Sequence, residues 1–150
     1  MIKTKERPRI KIKYVIGGGY NRFWHNHQFY RVVKGSRGSK KSRTTAVNLI
    51  YRIMKYSWSN ILVVRRYSNT NHDSTYTVLK WAINRLGVSR LFKCNEGKPE
   101  IVYLPTGQKI IFRGLDDPLK VTSVDVDTGV LCWAWFNFRP RKTPLIRGNS

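Results

Sequence analysis

Residues 35 to 42 read Gly35-Ser36-Arg37-Gly38-Ser39-Lys40-Lys41-Ser42, and no other stretch limits the possible folds of this chain so tightly. A short apolar run, Tyr30-Arg31-Val32-Val33, precedes it, and a helix-like pattern from Thr44 to Lys55 follows it. Strand, tight loop and helix in that order, with a Lys-Ser pair where the helix begins, is the setting of a nucleotide-binding phosphate loop. Successive backbone N–H groups in such a loop wrap a polyphosphate. Lys41 is then the residue to reach the β- and γ-phosphates, and the Ser42 hydroxyl the ligand for Mg²⁺. The expected cofactors are ATP and Mg²⁺.

The pattern departs from its usual form at one place. Glycine normally occupies the position before the Lys-Ser pair, because the backbone there approaches the phosphates at dihedrals that penalise a Cβ. Here that position is Lys40, which is compatible with the motif if its own dihedrals stay helical. By itself a basic Gly/Ser loop is more often an ordinary solvated turn. The flanking strand and helix patterns bring the phosphate cradle level with that reading.

Charge points the same way. The 150 residues hold 29 Lys+Arg against 8 Asp+Glu, a net charge of +21, which fits a polyanionic partner and above all nucleic acid. The excess is uneven. Residues 1–34 carry nine basic side chains and one acid, residues 35–72 eight and none, and residues 73–136 eight against seven. The amino-terminal half is the polyanion-facing half. Apolar content is ordinary, and the length suits one domain with a core of its own. No apolar run is long enough to span a bilayer and no signal-peptide pattern is present, so the chain is expected in the cytoplasm, away from membranes. Cys94 and Cys132 lie far apart without metal-like spacing and read as packed thiols. His25 and His27 have no carboxylate or cysteine close by in sequence and do not suggest a metal site.

Lys3, Lys5, Arg7, Arg9, Lys11 and Lys13 alternate with other residues, forming either a basic arm on phosphates or a solvated terminus. Gly17-Gly18-Gly19 reads as a hinge. The aromatic stretch from Tyr20 to Tyr30 is expected to pack a first strand into the core, with a base-covering role as the alternative and Gln28 as a donor to the base edge. Ala46, Leu49, Ile50, Ile53 and Met54 recur at helical spacing. Ile61-Leu62-Val63-Val64 is the run of a strand buried on both faces of a parallel sheet. The polar loop after it, starting at Arg65-Arg66, lies where ligands collect in open α/β sheets. A second amphipathic helix spans Thr75 to Leu86, stopped by Gly87. Ile101–Leu104 and Lys109–Phe112 flank a Pro-Thr-Gly turn and read as a β-hairpin. Arg113 to Pro118 is expected as a loop, and Gly129 to Phe136 as a buried strand. The fold class is α/β: a P-loop NTPase-type, mostly parallel sheet flanked by helices, with an inserted hairpin.

At this point the residues match a known family. The run Phe29 to Ser42 resembles the start of the ATPase of tailed-phage terminase large subunits. So do Leu62 to Thr70, Thr106 to Pro118, and Leu131 to Phe136. The similarity covers roughly residues 14 to 136, and Lys40 looks like a variant used by a branch of the family. The resemblance implies an ATP-driven motor that packs double-stranded DNA into a procapsid, coupled to a ribonuclease-H-type nuclease. It also implies a ring on the portal protein and a terminase small subunit as partners, in a bacterial host cell. Arg37 matches an arginine proposed to sense or stabilise the γ-phosphate. Arg65 and Arg66 are candidates for DNA phosphate or a neighbouring subunit.

One departure bears on activity. In the family, two acidic residues follow the strand matching Trp133 to Phe136; one organises the metal shell and the other polarises the attacking water. Here those positions are Asn137 and Phe138, which can do neither. The expected organisation is a basic arm and hinge at 1–19, a partial ATPase domain at 20–136, and a basic tail outside the family at 137–150. It fits a truncated or frame-shifted product, with a natural short protein as the rival. The expected function is a packaging-motor segment that binds ATP but hydrolyses it poorly. The alternatives are a non-catalytic basic DNA-binding module and an inactive prophage remnant.

Overall fold

The run Ile61-Leu62-Val63-Val64 becomes the middle of the sheet, as its unbroken apolar character demands. In the computed structural model, which describes residues 11–16, 18–28, 31–36, 38–65, 71–116 and 130–135, strand β1 spans Asn60–Arg65. It is flanked on both sides by parallel partners: β4 (Gln108–Gly114), with Ile61 opposite Ile110, and β5 (Val130–Trp135), with Ile61 opposite Leu131. Ile61 and Val63 are fully buried, and Leu62 and Val64 on the opposite face are also buried.

The expected hairpin is present as β3 (Glu100–Tyr103) paired antiparallel with β4. A strand that the sequence pattern did not reveal, β2 (Phe92–Asn95), extends it antiparallel on the outer edge. The sheet order is β2-β3-β4-β1-β5, so the sheet is mixed: parallel across β4-β1-β5 and antiparallel across β2-β3-β4. Strand β4 continues through Arg113 and Gly114, two residues into the segment expected to be loop.

Two longer helices cover the core. Helix α3 (Lys41–Lys55) buries Ala46, Val47, Leu49, Ile50 and Ile53. Met54, assigned to that face by spacing, is 37% exposed instead, because the buried stripe is already filled by its four-residue partner Ile50 and by Ile53. A π-helical turn, Asn71–Tyr76, leads into α4 (Thr77–Arg85), which buries Leu79, Ala82 and Ile83. Gly87, at φ +68°, ends that helix by bonding its N–H to the Asn84 carbonyl. Tyr76 meets Phe112 edge-on at 5.5 Å and donates its hydroxyl to the Asn95 carbonyl, tying α4's start to β2 and β4.

The amino-terminal region departs from expectation. Ile12–Ile16 form α1, whose Val15 and Ile16 join the hydrophobic core. Gly18 and Gly19 lie in a 3₁₀ turn ending at Tyr20 (Gly17 lies outside the described residues). The aromatic stretch forms a short helix, α2 (Asn21–His25), in place of the expected strand. Arg31 to Ser36 is likewise not a strand, and Val32 is 93% exposed. Both edges of β1 are taken by β4 and β5, and no described strand lies beside this segment. An extended run without a ladder partner has nowhere to place its backbone hydrogen bonds. Phe29 and Tyr30 lie outside the described residues.

Candidate functional site

Four residues, Tyr56 to Ser59, separate the end of α3 from β1, so the chain reverses between them. A 15-residue helix rises about 22 Å, and six strand residues extend about 20 Å. The start of α3 therefore returns to the level where β1 ends. The loop before α3 and the carboxyl ends of the parallel strands share one end of the molecule, the end where α/β sheets bind ligands. Buried Gln108 fixes the reversal, its amide nitrogen donating to the carbonyls of Tyr56 (2.6 Å) and Ser59 (2.5 Å). At the other end of β1, Leu115 N–H donates to the Arg65 carbonyl at 2.8 Å.

The loop itself is closely packed. A Cβ on Gly35 would lie 2.7 Å from Ser39 Oγ and 3.3 Å from Ser39 Cβ, so only glycine fits there without moving Ser39. Gly38 has φ +85°, and Lys40 has φ +60° and ψ 9°. The condition set for Lys40, that its dihedrals stay helical, is thus not met. Lys40 sits in the left-handed region that makes glycine usual at this position, at a cost of about 1–2 kcal/mol. Its carbonyl accepts the Thr44 N–H at 2.9 Å, so the turn it makes is what starts α3.

Lys41 opens the helix and swings back over the loop, its Nζ donating to the Ser36 carbonyl at 2.9 Å. Ser42 follows in the first turn, partly buried. That turn has no acidic residue, and Lys40, Lys41 and Arg43 surround it. The helix dipole and these cations add to a positive field. Arg43 lies 4.8 Å over the ring of Trp81, which attaches the first turn of α3 to α4.

Tyr20 and Thr44, which the sequence did not single out, join the loop residue Ser39 here. Tyr20 donates its hydroxyl to the Ser39 carbonyl, bracing the loop from the segment just before α2. Ser39 Oγ and, one turn into α3, Thr44 Oγ1 are buried without a hydrogen-bond partner among the described residues. Nothing in the order of residues marks Tyr20 as a loop contact, since nineteen positions separate it from Ser39. A buried hydroxyl with no partner is costly.

The structure thus brings Gly35, Ser36, Gly38, Ser39, Lys40, Lys41 and Ser42 into one tight turn at a helix start. Arg37, Arg66, Asn137 and Phe138 lie outside the described residues. Arg65 ends β1 on the same side of the sheet. The packed glycine, the unpartnered Ser39 hydroxyl and the lysine resting on a neutral carbonyl all fit a bound polyphosphate. No group of three or more His, Cys, Asp or Glu side chains is placed to hold a metal among the described residues. No described helix is long and apolar enough to cross a membrane.

Comparison with known proteins covers the same part of the chain. A family model described as phage terminase large subunit matches residues 27–138, a range that includes the loop and β5. The large subunit of the terminase of Bacillus phage SPP1 is 38% identical over 104 residues, covering 69% of this chain and 24% of that protein. The PBSX phage terminase large subunit of Bacillus subtilis (strain 168) is 31% identical over 97 residues, covering 65% of this chain and 22% of that protein. The chain thus spans about a quarter of the length of the curated relatives it matches.

Proposed function

The chain belongs to the phage terminase large subunit family, and from that premise we propose that it supplies the nucleotide-binding part of an ATP-driven DNA-packaging motor. The observation that carries the reading is Lys41. Its ammonium group rests on the Ser36 carbonyl, a neutral acceptor. A phosphate oxygen is a stronger, charge-assisted partner for the same group. The loop from Gly35 to Ser42 would hold the triphosphate of ATP, with Lys41 at its outer phosphates, Ser42 toward Mg²⁺ and Arg37 toward the γ-phosphate. Bound Mg²⁺ supplies neutralisation of phosphate charge. What the chain itself does is present N–H donors, exclude one Cβ's worth of space at Gly35, and fix the lysine's reach.

Turnover is expected to be slow. Asn137 and Phe138 stand where the family has its two acids, and a missing positioned base alone costs roughly 10² to 10⁴ in rate. Titration with ATP, with and without Mg²⁺, tests the proposal: binding is saturable in the natural chain and abolished in Lys41→Ala. Equal binding by both would overturn it. Brisk hydrolysis that Lys41→Ala abolishes would overturn the claim of slow turnover and leave the binding claim standing.

The uncompensated charge of residues 7–72, which hold no acid, favours double-stranded DNA as the macromolecular partner. A non-catalytic DNA-binding role is the second reading, separated from the first by whether ATP binds at all. The portal protein, the terminase small subunit, ring assembly and a place in the bacterial cytoplasm belong to the proposed motor as a whole.

A further inference from the structure

The flank of α3 against the amino-terminal segment, running from buried Asn48 out to exposed Lys55, carries an arrangement that the nucleotide loop does not use. Asn48, Tyr51, Arg52 and Lys55 follow one another at helical spacing along this face. Asn48 Oδ1 accepts from two guanidinium groups at once, Arg52 Nε at 3.0 Å and Arg31 Nη1 at 3.4 Å. Both arginines also reach the Asn26 carbonyl at 3.5 Å. Two positive forks thus converge on neutral acceptors, and their remaining N–H donors have no partner among the described residues. Burial, and then the neighbouring charge of Arg52, push the Arg31 guanidinium below its ordinary value, with Tyr56 opposing.

Aromatic rings hold the cations in place. Arg31 lies 5.5 Å over Phe23, and Lys55 lies 5.7 Å from the ring centre of Tyr51 and 5.4 Å from that of Tyr56. Trp24 packs on Tyr51, and Tyr56 on the exposed Trp58. An open concavity of about 370 Å³, lined by Arg22, His25, Asn26 and Gln28, adjoins the pair of arginines through Asn26. The sequence has no acidic residue between Glu6 and Asp73 to balance any of this.

We propose that this face, with Arg31, Arg52 and Lys55 as its cations, is a docking surface for the phosphodiester backbone of nucleic acid. Planar guanidinium forks match phosphate oxygens, and Arg52 and Lys55 are held three residues apart on one helix with Arg31 drawn beside them by the shared Asn48 acceptor. An anion between Arg31 and Arg52 would also relieve their mutual repulsion. The proposal rests on the reading of DNA as partner, and is independent of the phosphate loop.

The test is fluorescence anisotropy of a short labelled duplex, and of a single strand of equal length, between about 50 and 200 mM salt. The double variant Arg52→Gln with Lys55→Gln should bind more weakly and lower the slope of log affinity against log salt by about two, one for each phosphate that is no longer neutralised. Lys93→Gln with Lys109→Gln removes the same charge from exposed positions on β2 and β4 and should leave most of the slope intact. Should the first pair melt early, Lys55→Gln alone should still lower the slope by about one. ATP titration of the double variant should match the natural chain, separating this surface from the nucleotide site. Weakening on both probes identifies the backbone itself as the ligand, and weakening on one alone identifies which helical form presents it. Equal weakening by the two charge-matched pairs would overturn the proposed surface and leave DNA as partner. Absence of binding by the natural chain would overturn both, and leave the nucleotide reading untouched.

Discussion

The loop and α3 on one side, and the α4–β2–β3–β4 region on the other, satisfy their polar groups in opposite ways. In the second region each prominent polar side chain has a protein partner. Tyr76 bonds the Asn95 carbonyl, Lys80 pairs with Glu96 at 2.6 Å, and Gln108 holds two carbonyls. In the first, Lys40 has a left-handed backbone, the Ser39 and Thr44 hydroxyls are buried without partners among the described residues, and Lys41, Arg31 and Arg52 lean on neutral oxygens. The contrast teaches where the molecule is built to persist and where it is built to bind. Local rules are broken where a ligand can make up the difference, and kept where only folding is at stake.

Two substitutions where only folding is at stake, one in the core side of α3 and one on β4, should have the largest effects. Ile50→Ala removes a fully buried side chain from the layer between α3 and the sheet and should lower unfolding free energy by about 2–5 kcal/mol, read from urea denaturation. Gln108→Ala strips the donor from the Tyr56 and Ser59 carbonyls and should cost about 1–3 kcal/mol. It loosens the turn that sets the height of the loop, so ATP affinity should fall as well. If Gln108→Ala left both stability and ATP affinity unchanged, the division between the two regions would not hold.

Much of the supporting part was legible in the sequence. The Ile61–Val64 run, the Pro-Thr-Gly hairpin and the two helical periodicities each carry enough residues to show a period, and each became the element expected. Strand β2 escaped because Phe92-Lys93-Cys94-Asn95 is too short to show alternation, and its partner is fixed only by the hairpin beside it. The Arg31–Val33 run failed as a strand for the converse reason: its composition is suitable, but a strand requires a ladder partner and none of the described strands pairs with it. Within the site, the glycines and the Lys-Ser pair were readable because their spacing is local. Tyr20 on Ser39 and Arg31 on Asn48 join residues nineteen and seventeen positions apart, relations that no sequence period encodes.

A smaller effect of opposite sign should come from Lys40→Gly. The substitution relieves a left-handed backbone at a position whose side chain makes no capping hydrogen bond. Glycine's greater freedom in the unfolded chain offsets part of the gain, leaving a stabilisation of about 1 kcal/mol or less, read as a higher urea midpoint. ATP affinity should hold or rise, since the loop then has the usual residue before its Lys-Ser pair. A lower midpoint would mean that the Lys40 side chain stabilises the loop by more than its backbone costs, and would move Lys40 from the strained side of the comparison to the satisfied one.

The smallest effect belongs to the satisfied region and appears only at alkaline pH. Burial raises the Cys94 thiol above its ordinary value of 9.0, with Glu96 adding to the rise and Lys80 opposing it. Burial likewise raises the Tyr76 phenol above 10.0, with Cys94 and Glu96 adding and Lys80 opposing. Each group therefore holds its proton more tightly folded than unfolded. The resulting stability is complete below the ordinary values and declines as pH rises through them toward the raised ones, because the unfolded chain gives up the proton first. Urea midpoints should thus fall above about pH 9. Cys94→Ala should flatten the lower part of that fall and Tyr76→Phe the upper part, whatever each does to stability at neutral pH. Arg52→Gln, in the other region, should leave the shape of the alkaline curve unchanged; a flattening there instead would mean that the two regions share one electrostatic network.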